Sequence, residues 1–176
     1  MIDILPIITV IVCYFIGNIS PAILIGRMNG VEIRSKGSGN AGTTNVLRVL
    51  GKKAAAATMI IDILKGVVPV LLGRYIGGQE LAMACGLAAF LGHIWPMLFG
   101  FRGGKGIATA FGLFLALEPL LGLIEAVTIS AFVLISKRVS VGSLAAAIVL
   151  PFASYLFNPR YLIITVPMAL ITIYKH

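Results

Sequence analysis

The sequence predicts an all-α integral membrane protein with about seven transmembrane helices, built as one domain over residues 1–176. Hydrophobic residues make up 59% of the chain and charged residues only 11%, and the mean hydropathy is +1.05. A soluble domain of this size cannot bury so much apolar side chain, so lipid must form part of its solvent. The net charge of +8 then indicates Lys- and Arg-rich loops on one membrane face, rather than a surface that binds nucleic acid.

Seven apolar stretches are long enough to be membrane helices and are separated by charged residues, prolines or glycines. They cover residues 3–27, 54–74, 79–98, 104–118, 119–136, 141–157 and 160–175. The first follows Asp3 with no preceding Lys or Arg, which predicts a retained helix and not a signal peptide. Glu118-Pro119 and Asn158-Pro159 divide the later stretches, because proline disfavours helix in the residue before it. Five longer spans with re-entrant pieces are the alternative.

The loop charges predict the orientation. An odd number of spans places the termini on opposite faces, and the positive-inside rule assigns the basic loops to the cytoplasm. The basic residues on that side are Arg27, Arg34, Lys36, Arg48, Lys52, Lys53, Arg102, Lys105, Lys137, Arg138 and Lys175. The other side carries only Arg74 and Arg160, with Asp3, Glu80 and Glu118. We therefore expect the N-terminus outside and the C-terminus in the cytoplasm.

The string SKGSGNAGTTN, residues 35–45, is typical of a loop that holds an anion. Small residues let backbone N–H groups approach a phosphate, and the nearby guanidinium of Arg48 can bind two phosphate oxygens. Residues 37–42 also match G-x-G-x-x-G. A dinucleotide site is excluded, because a charged loop precedes the string and the next acid, Asp62, lies in an apolar helix.

A second glycine-rich loop, Gly103-Gly104-Lys105-Gly106, opens another helix on the same face. It resembles a nucleotide-binding P-loop, but a glycine follows the lysine and Phe99 stands where that motif has its first glycine. The pattern therefore indicates phosphate binding without ATP hydrolysis. Glycine pairs also serve close helix packing in lipid. Two such loops with basic residues on one face favour the phosphate interpretation.

Some polar residues within the apolar stretches have structural interpretations. Asp62 and Lys65 are three positions apart, which predicts a buried ion pair; the alternative is a charge relay of a transporter. His93 is expected near the cytoplasmic end of its helix, as a base, a phosphate ligand or a structural group. Cys13 and Cys85 are interpreted as buried, inert thiols. Acidic, Cys and His residues show no metal-ligand spacing, so neither a metal nor a cofactor is expected.

Taken together, three stretches resemble the signatures of the bacterial acyl-phosphate:glycerol-3-phosphate acyltransferases, the PlsY family. They are residues 37–48 (GSGNAGTTNVLR), 92–96 (GHIWP) and 101–109 (FRGGKGIAT). The resemblance implies transfer of a fatty acyl group from acyl phosphate to the 1-hydroxyl of glycerol 3-phosphate. The expected products are lysophosphatidic acid and phosphate. It also implies an active site on the cytoplasmic face of the bacterial inner membrane, contact with membrane lipid, and an upstream partner enzyme that makes acyl phosphate.

The resemblance also implies roles for individual residues. Expected catalytic residues are Ser38, Arg48, Lys105 and His176, with either His93 or a substrate phosphate as the general base. Expected substrate-binding residues are Gly37, Gly39, Asn40, Gly42, Thr44, Asn45, Gly103, Gly104, Gly106, Ser140 and Ser143. The family's third motif continues beyond its histidine with an asparagine and a glutamate, whereas this sequence ends at His176.

The rival functions fit the residues less well. Acyltransferases that use acyl-CoA or acyl carrier protein commonly carry His-x4-Asp, but Leu98 stands five residues after His93. CDP-alcohol phosphotransferases need clustered aspartates, and this chain has only Asp3 and Asp62. A transporter of phosphate or a phosphorylated small molecule is the alternative, and it predicts polar residues spread through the membrane midplane.

Overall fold

The computed structural model describes residues 4–176, and every regular element in that range is helical. The predicted helix start at residue 3, and Asp3 itself, lie outside the described residues. The eight α-helices are α1 (Leu5–Asn18), α2 (Pro21–Met28), α3 (Thr43–Leu50), α4 (Lys52–Ile94), α5 (Ile107–Leu117), α6 (Pro119–Ser136), α7 (Val139–Phe157) and α8 (Leu162–Tyr174). Short 3₁₀ turns occur at Ile33–Ser35, Met97–Phe99 and Pro159–Tyr161.

Helix α4 reverses direction at Gly77 and Gly78, whose backbone angles are not helical, so that it consists of two helical arms, residues 52–76 and 79–94. Gly78 has φ = +70°, a conformation that glycine adopts without strain. The two arms pack closely after the turn, because a Cβ on Gly73 would lie 2.6 Å from the carbonyl oxygen of Leu81. The arms correspond to the separate helices predicted over 54–74 and 79–98.

The prediction of about seven membrane helices is confirmed. Within residues 4–176, four helical stretches are long and apolar enough to span a bilayer, namely Leu5–Met28, Lys52–Phe99, Pro119–Ser136 and Val139–Phe157. Two shorter apolar helices, Ile107–Leu117 and Pro159–Tyr174, complete the bundle. Because Lys52–Phe99 includes the fold at Gly77-Gly78, the chain crosses the bundle seven times. The described ends of the chain therefore lie at opposite ends of the bundle.

Two of the differences between the predicted and observed helix boundaries have clear local causes. The first predicted helix is divided at Ile19-Ser20, because Pro21 begins α2 and disfavours helical backbone in Ser20. Helix α5 begins at Ile107, not at residue 104, because Gly106 before it is left-handed with φ = +85°.

Glycines bring the helix backbones into contact at the centre of the bundle. A Cβ on Gly66 would collide with the carbonyl oxygen of Thr109, and one on Gly112 would collide with that of Ile63. Gly17 packs in the same way against Ala89, which joins α1 to the second arm of α4. Close approach through small residues is the usual means of helix association in lipid.

Most of the charged side chains lie at the two ends of the bundle. We call the end that carries Arg27, Arg34, Lys105 and Lys175 the basic end. At the other end, Arg74 donates to the carbonyl of Leu117 at 2.9 Å. There Gln79 donates to the Tyr161 hydroxyl at 2.8 Å, and Arg160 pairs with Glu80. The unequal distribution of charge expected from the sequence is thus present in the fold.

Candidate active site

An open cavity of about 1120 Å³ lies at the basic end. This volume slightly exceeds the upper range for a typical small-ligand pocket, roughly 300–1,000 Å³. Four parts of the chain form it: the end of α2, the loop between α2 and α3, the loop between α4 and α5, and the end of α8. The lining residues are Arg27, Glu32, Arg34, Ser35, Ser38, Gly39, Asn40, Leu98, Phe99, Gly100, Arg102, Gly103, Lys105, Lys175 and His176.

The cavity is strongly cationic. Five Lys or Arg side chains line it, and Glu32 is the one carboxylate among the lining residues. Glu32 accepts hydrogen bonds at 3.1 Å from both Nε and the backbone N–H of Arg34, and these bonds hold the pKa of its carboxyl below the usual value. Arg34 also donates to the carbonyl of Phe99 at 2.9 Å, which joins the two loops. Such a concave, positive site concentrates anions.

The first glycine-rich loop is organised around Asn45, which is 1% exposed. Its Nδ2 donates to the carbonyls of Ile33 and Lys36, each at 3.0 Å. Its Oδ1 accepts from the backbone N–H of Ser38 at 2.8 Å. A Cβ on Gly37, which has φ = +58°, would collide with the Asn45 side chain. The side chain of Asn45 therefore holds the loop in shape.

This hydrogen bonding occupies two of the backbone amides of the first glycine-rich loop. The N–H of Ser38 is used by Asn45, and the N–H of Gly39 donates to the carbonyl of Lys36 at 3.0 Å. These two amides are therefore engaged within the loop and do not form a free backbone nest. The residues of this loop that line the cavity are Ser35, Ser38, Gly39 and Asn40.

Asn45→Ala is expected to destabilise the protein by about 2–4 kcal/mol, because three hydrogen bonds are lost and the buried carbonyl of Ile33 loses its donor. A thermal unfolding curve in detergent should show a midpoint about 5–15 °C lower. Asn40→Ala is the matched control, since Asn40 lines the cavity and should affect activity with an unchanged midpoint. Equal midpoints for the two variants would contradict a structural role of Asn45.

The second glycine-rich loop lies directly on the end of α4. The N–H groups of Gly103 and Gly104 donate to the carbonyls of Ile94 and His93, each at 3.2 Å. Gly106 then ends the loop, and the positive end of the α5 dipole lies beside Lys105. Partial burial lowers the pKa of Lys105. Its ammonium is thus partly desolvated, and Lys105 lines the cavity.

His176 reaches the same cavity from the end of α8. Its Nδ1 lies 2.9 Å from the carbonyl oxygen of Thr172. Since a carbonyl can only accept, Nδ1 carries the proton and Nε2 is the other site of a neutral ring. Burial lowers the pKa of His176, and the nearby charge of Lys105 lowers it further, against the raising effect of the Thr172 bond.

The structure brings together some of the expected site residues. Those that line the cavity are Ser38, Gly39, Asn40, Gly103, Lys105 and His176. Those that do not are Gly37, Gly42, Thr44, Asn45, Arg48, His93, Gly104, Gly106, Ser140 and Ser143. Several of the latter shape the loops, as Asn45 and Gly37 do.

For three of the expected site residues that do not line the cavity, the structure shows where the side chain lies. Arg48 is exposed on α3. Ser140 is exposed on the first turn of α7. Ser143 is buried, and its hydroxyl donates to the carbonyl of Val139 at 3.0 Å within the same helix. None of these three residues is part of the cavity lining.

Sequence reasoning missed several residues of the cavity. Arg27, Arg34, Arg102 and Lys175 line it, yet they were interpreted only as markers of the membrane face. The concentration of Lys and Arg on one membrane face could have indicated a phosphate site, because such a site and the positive-inside rule both require basic residues there. Glu32 was not noticed, although its position two residues before Arg34 permits the observed pair.

The family model described as glycerol-3-phosphate acyltransferase matches residues 7–176. The chain belongs to the glycerol-3-phosphate acyltransferase family. A member from Alkaliphilus metalliredigens is 41% identical, over 95% of this chain and 86% of its own. A member from Geobacter sulfurreducens is 43% identical, over 94% of this chain and 87% of its own.

A solved structure in the family has the same fold. It is PlsY, an integral membrane glycerol 3-phosphate acyltransferase, crystallised in its glycerol 3-phosphate form. It superposes with a TM-score of 0.93 at 34% identity, covering 97% of this chain and 88% of PlsY. The lysophosphatidic acid form of PlsY superposes with a TM-score of 0.89. The chain is thus a multi-pass membrane member of the acyltransferase family.

Proposed function

We propose that this protein transfers a fatty acyl group from acyl phosphate to the 1-hydroxyl of glycerol 3-phosphate, giving lysophosphatidic acid and phosphate. The observation that carries the proposal is the single cavity lined by five cationic side chains from separate parts of the chain. Its charge suits two phosphorylated substrates at once. The glycerol 3-phosphate and lysophosphatidic acid forms of PlsY support the choice of acceptor and product.

The two substrates are assigned to opposite sides of the cavity. Lys105 and His176, which lie close enough for their charges to interact, hold the phosphate of glycerol 3-phosphate. Ser38 and Asn40, on the first loop, hold the phosphate of the acyl donor. Bringing the hydroxyl against the carbonyl in one cavity converts a bimolecular step into an effectively unimolecular one.

The reaction needs no covalent enzyme intermediate. The 1-hydroxyl oxygen attacks the acyl carbon, the bond from that carbon to the phosphate oxygen breaks, and the electron pair leaves with phosphate. The hydroxyl proton ends on the departing phosphate, so the products are a neutral ester linkage and hydrogen phosphate. Acyl phosphate is a mixed anhydride and already carries a good leaving group. The protein therefore contributes positioning and charge stabilisation.

We place the cavity on the cytoplasmic face of the bacterial inner membrane. The basic end contains the Lys- and Arg-rich loops, and the positive-inside rule assigns such loops to the cytoplasm. Labelling of single cysteines at positions 36 and 80 in intact cells tests this orientation. An impermeant maleimide should modify position 80 and not position 36; the reverse pattern would contradict it.

Donor choice and coupling test the proposed reaction. Purified protein should release phosphate and form lysophosphatidic acid from palmitoyl phosphate with glycerol 3-phosphate, and neither palmitoyl-CoA nor an acyl carrier protein thioester should replace the donor. Proteoliposomes provide the comparison with a transporter. Uptake of glycerol 3-phosphate without acyl transfer would overturn the proposal.

Glycerol 3-phosphate binding is expected to take up protons. A phosphate dianion beside Lys105 and His176 raises the pKa of both groups above the lowered values of the empty cavity. Binding near pH 7 should therefore take up as much as about one proton, and affinity should fall as the pH rises through the pKa values of the occupied site.

Calorimetry in buffers of different ionisation enthalpy measures this uptake. His176→Gln should reduce it, while the titration of the ligand phosphate near pH 6 is common to both proteins. Identical proton uptake by His176→Gln and the unmodified protein would contradict phosphate contact with His176.

A further inference from the structure

Three ionisable side chains form a buried cluster beneath the cavity. Asp62 Oδ1 lies 2.7 Å from Lys65 Nζ and 3.4 Å from His93 Nδ1. The residues are only 2%, 4% and 7% exposed, respectively. This confirms the ion pair expected from the spacing of Asp62 and Lys65, and it adds His93. The cluster joins the two arms of α4.

The same cluster reaches the break between α1 and α2. Lys65 Nζ donates to the carbonyl of Ile19 at 2.7 Å, at the point where the first helix is interrupted. Helix α4 extends about 15 Å beyond Asp62 toward the basic end, at 1.5 Å per residue. Asp62 is therefore inside the bundle, where an ion pair costs desolvation that an apolar replacement would avoid. Such a cost suggests a role beyond holding helices together.

His93 connects the cluster to the second glycine-rich loop. Its carbonyl accepts from the N–H of Gly104 at 3.2 Å. A Cβ on Gly104 would collide with Nε2 of the imidazole, and one on Gly103 would collide with the His93 carbonyl oxygen. The ring thus has Asp62 on its Nδ1 side and the loop backbone on its Nε2 side. Neither His93 nor Gly104 lines the cavity.

We propose that Asp62, Lys65 and His93 are positioning residues that fix where the Gly103–Gly106 loop lies relative to the cavity. Through the loop they place the Lys105 ammonium against the substrate phosphate. The carboxylate orients the imidazole, and the imidazole supports the backbone one residue before Lys105. The inference rests on the proposed function in that Lys105 must bind phosphate. It also assigns His93 a role different from that of the general base.

A double-mutant cycle on glycerol 3-phosphate binding tests this coupling. His93→Asn keeps an amide N–H where Nδ1 meets Asp62 and removes the Nε2 side of the ring. When Lys105 is present, His93→Asn should raise the Kd for glycerol 3-phosphate about 10-fold. In the Lys105→Met background the same substitution should raise this Kd less than about 2-fold. Ser154→Ala, a buried serine of α7 that donates to the carbonyl of Leu150, is the control and should leave the Kd unchanged in both backgrounds.

Kinetics separate positioning from proton transfer. With His93→Asn, KM for glycerol 3-phosphate should rise while kcat and its pH profile keep their form. If His93→Asn does not accumulate, Asp62→Asn combined with Lys65→Met removes both buried charges and should show the same dependence on Lys105. Equal effects in both Lys105 backgrounds, or loss of a titrating group from the kcat profile, would overturn the proposal.

The outcomes distinguish this inference from the proposed function. If His93 and Lys105 are coupled in binding but no acyl transfer occurs, the positioning role of the cluster is supported and the proposed acyl transfer is rejected. If acyl transfer occurs but the effects of the His93 and Lys105 substitutions on binding are additive, the reaction is supported and the positioning role of the cluster is rejected. If glycerol 3-phosphate and inorganic phosphate both fail to bind the unmodified protein, both proposals are rejected.

Discussion

Lys105→Met is expected to lower kcat/KM for glycerol 3-phosphate about 100-fold. A hydrogen bond to a charged group contributes about 1.5–3 kcal/mol, and each 1.4 kcal/mol corresponds to a factor of ten. Lys105 is half-buried at the cavity wall, so water replaces its contact poorly. Initial rates of phosphate release from palmitoyl phosphate, measured against glycerol 3-phosphate concentration, give this ratio.

Lys53→Met is the matched control for the loss of a positive charge. Lys53 is exposed in the first turn of α4, at the same end of the bundle, and does not line the cavity. Its kcat/KM should change less than about twofold, as expected for a solvent-screened charge. Similar losses for the two variants would mean that the field of the basic end, and not contact by Lys105, drives binding.

Gly106→Ala should lower kcat/KM at least about 30-fold and destabilise the protein by about 2–5 kcal/mol. At φ = +85° an alanine is strained by about 1–2 kcal/mol. Its Cβ would also collide with the ring of Phe90, which is fully buried, and such overpacking costs about 1–3 kcal/mol. The loop must move to relieve both effects, and Lys105 moves with it. Thermal unfolding and initial rates measure the two consequences.

Gly51→Ala isolates the backbone strain from the collision. Gly51 also has a positive φ of +82°, but its ψ of −174° lies in a region that is essentially restricted to glycine. A Cβ on Gly51 would meet nothing within 4 Å. Strain of about 1–3 kcal/mol should therefore appear without a collision, and kcat/KM should change little. Equal activity losses for Gly51→Ala and Gly106→Ala would show that packing against Phe90 does not position the loop.

Much of the fold could be predicted because its signals are local. The predicted helix over 119–136 matches α6 at both ends, since proline marks its start. The break at Ser20-Pro21 carried the same signal as Glu118-Pro119, but the surrounding apolar run concealed it. The later start of α5 could not be predicted, because only the contact between Gly106 and Phe90 shows why the loop continues to that residue.

The site was partly predictable for a different reason. Ser38, Asn40 and Lys105 lie in glycine-rich strings whose chemistry is readable without a structure. Asn45 belongs to the same kind of string, yet its amide turns inward to backbone carbonyls. The contribution of Arg27 depends on how the helices are arranged, which short motifs do not encode.

Initial rates with both substrates varied test the central claim most directly, namely that two phosphates bind side by side and the acyl group passes directly between substrates. The account predicts intersecting double-reciprocal lines, one phosphate released per lysophosphatidic acid formed, and no burst of phosphate from acyl phosphate alone. Parallel lines together with a phosphate burst in the absence of glycerol 3-phosphate would contradict it, because they are the signature of an acyl-enzyme intermediate.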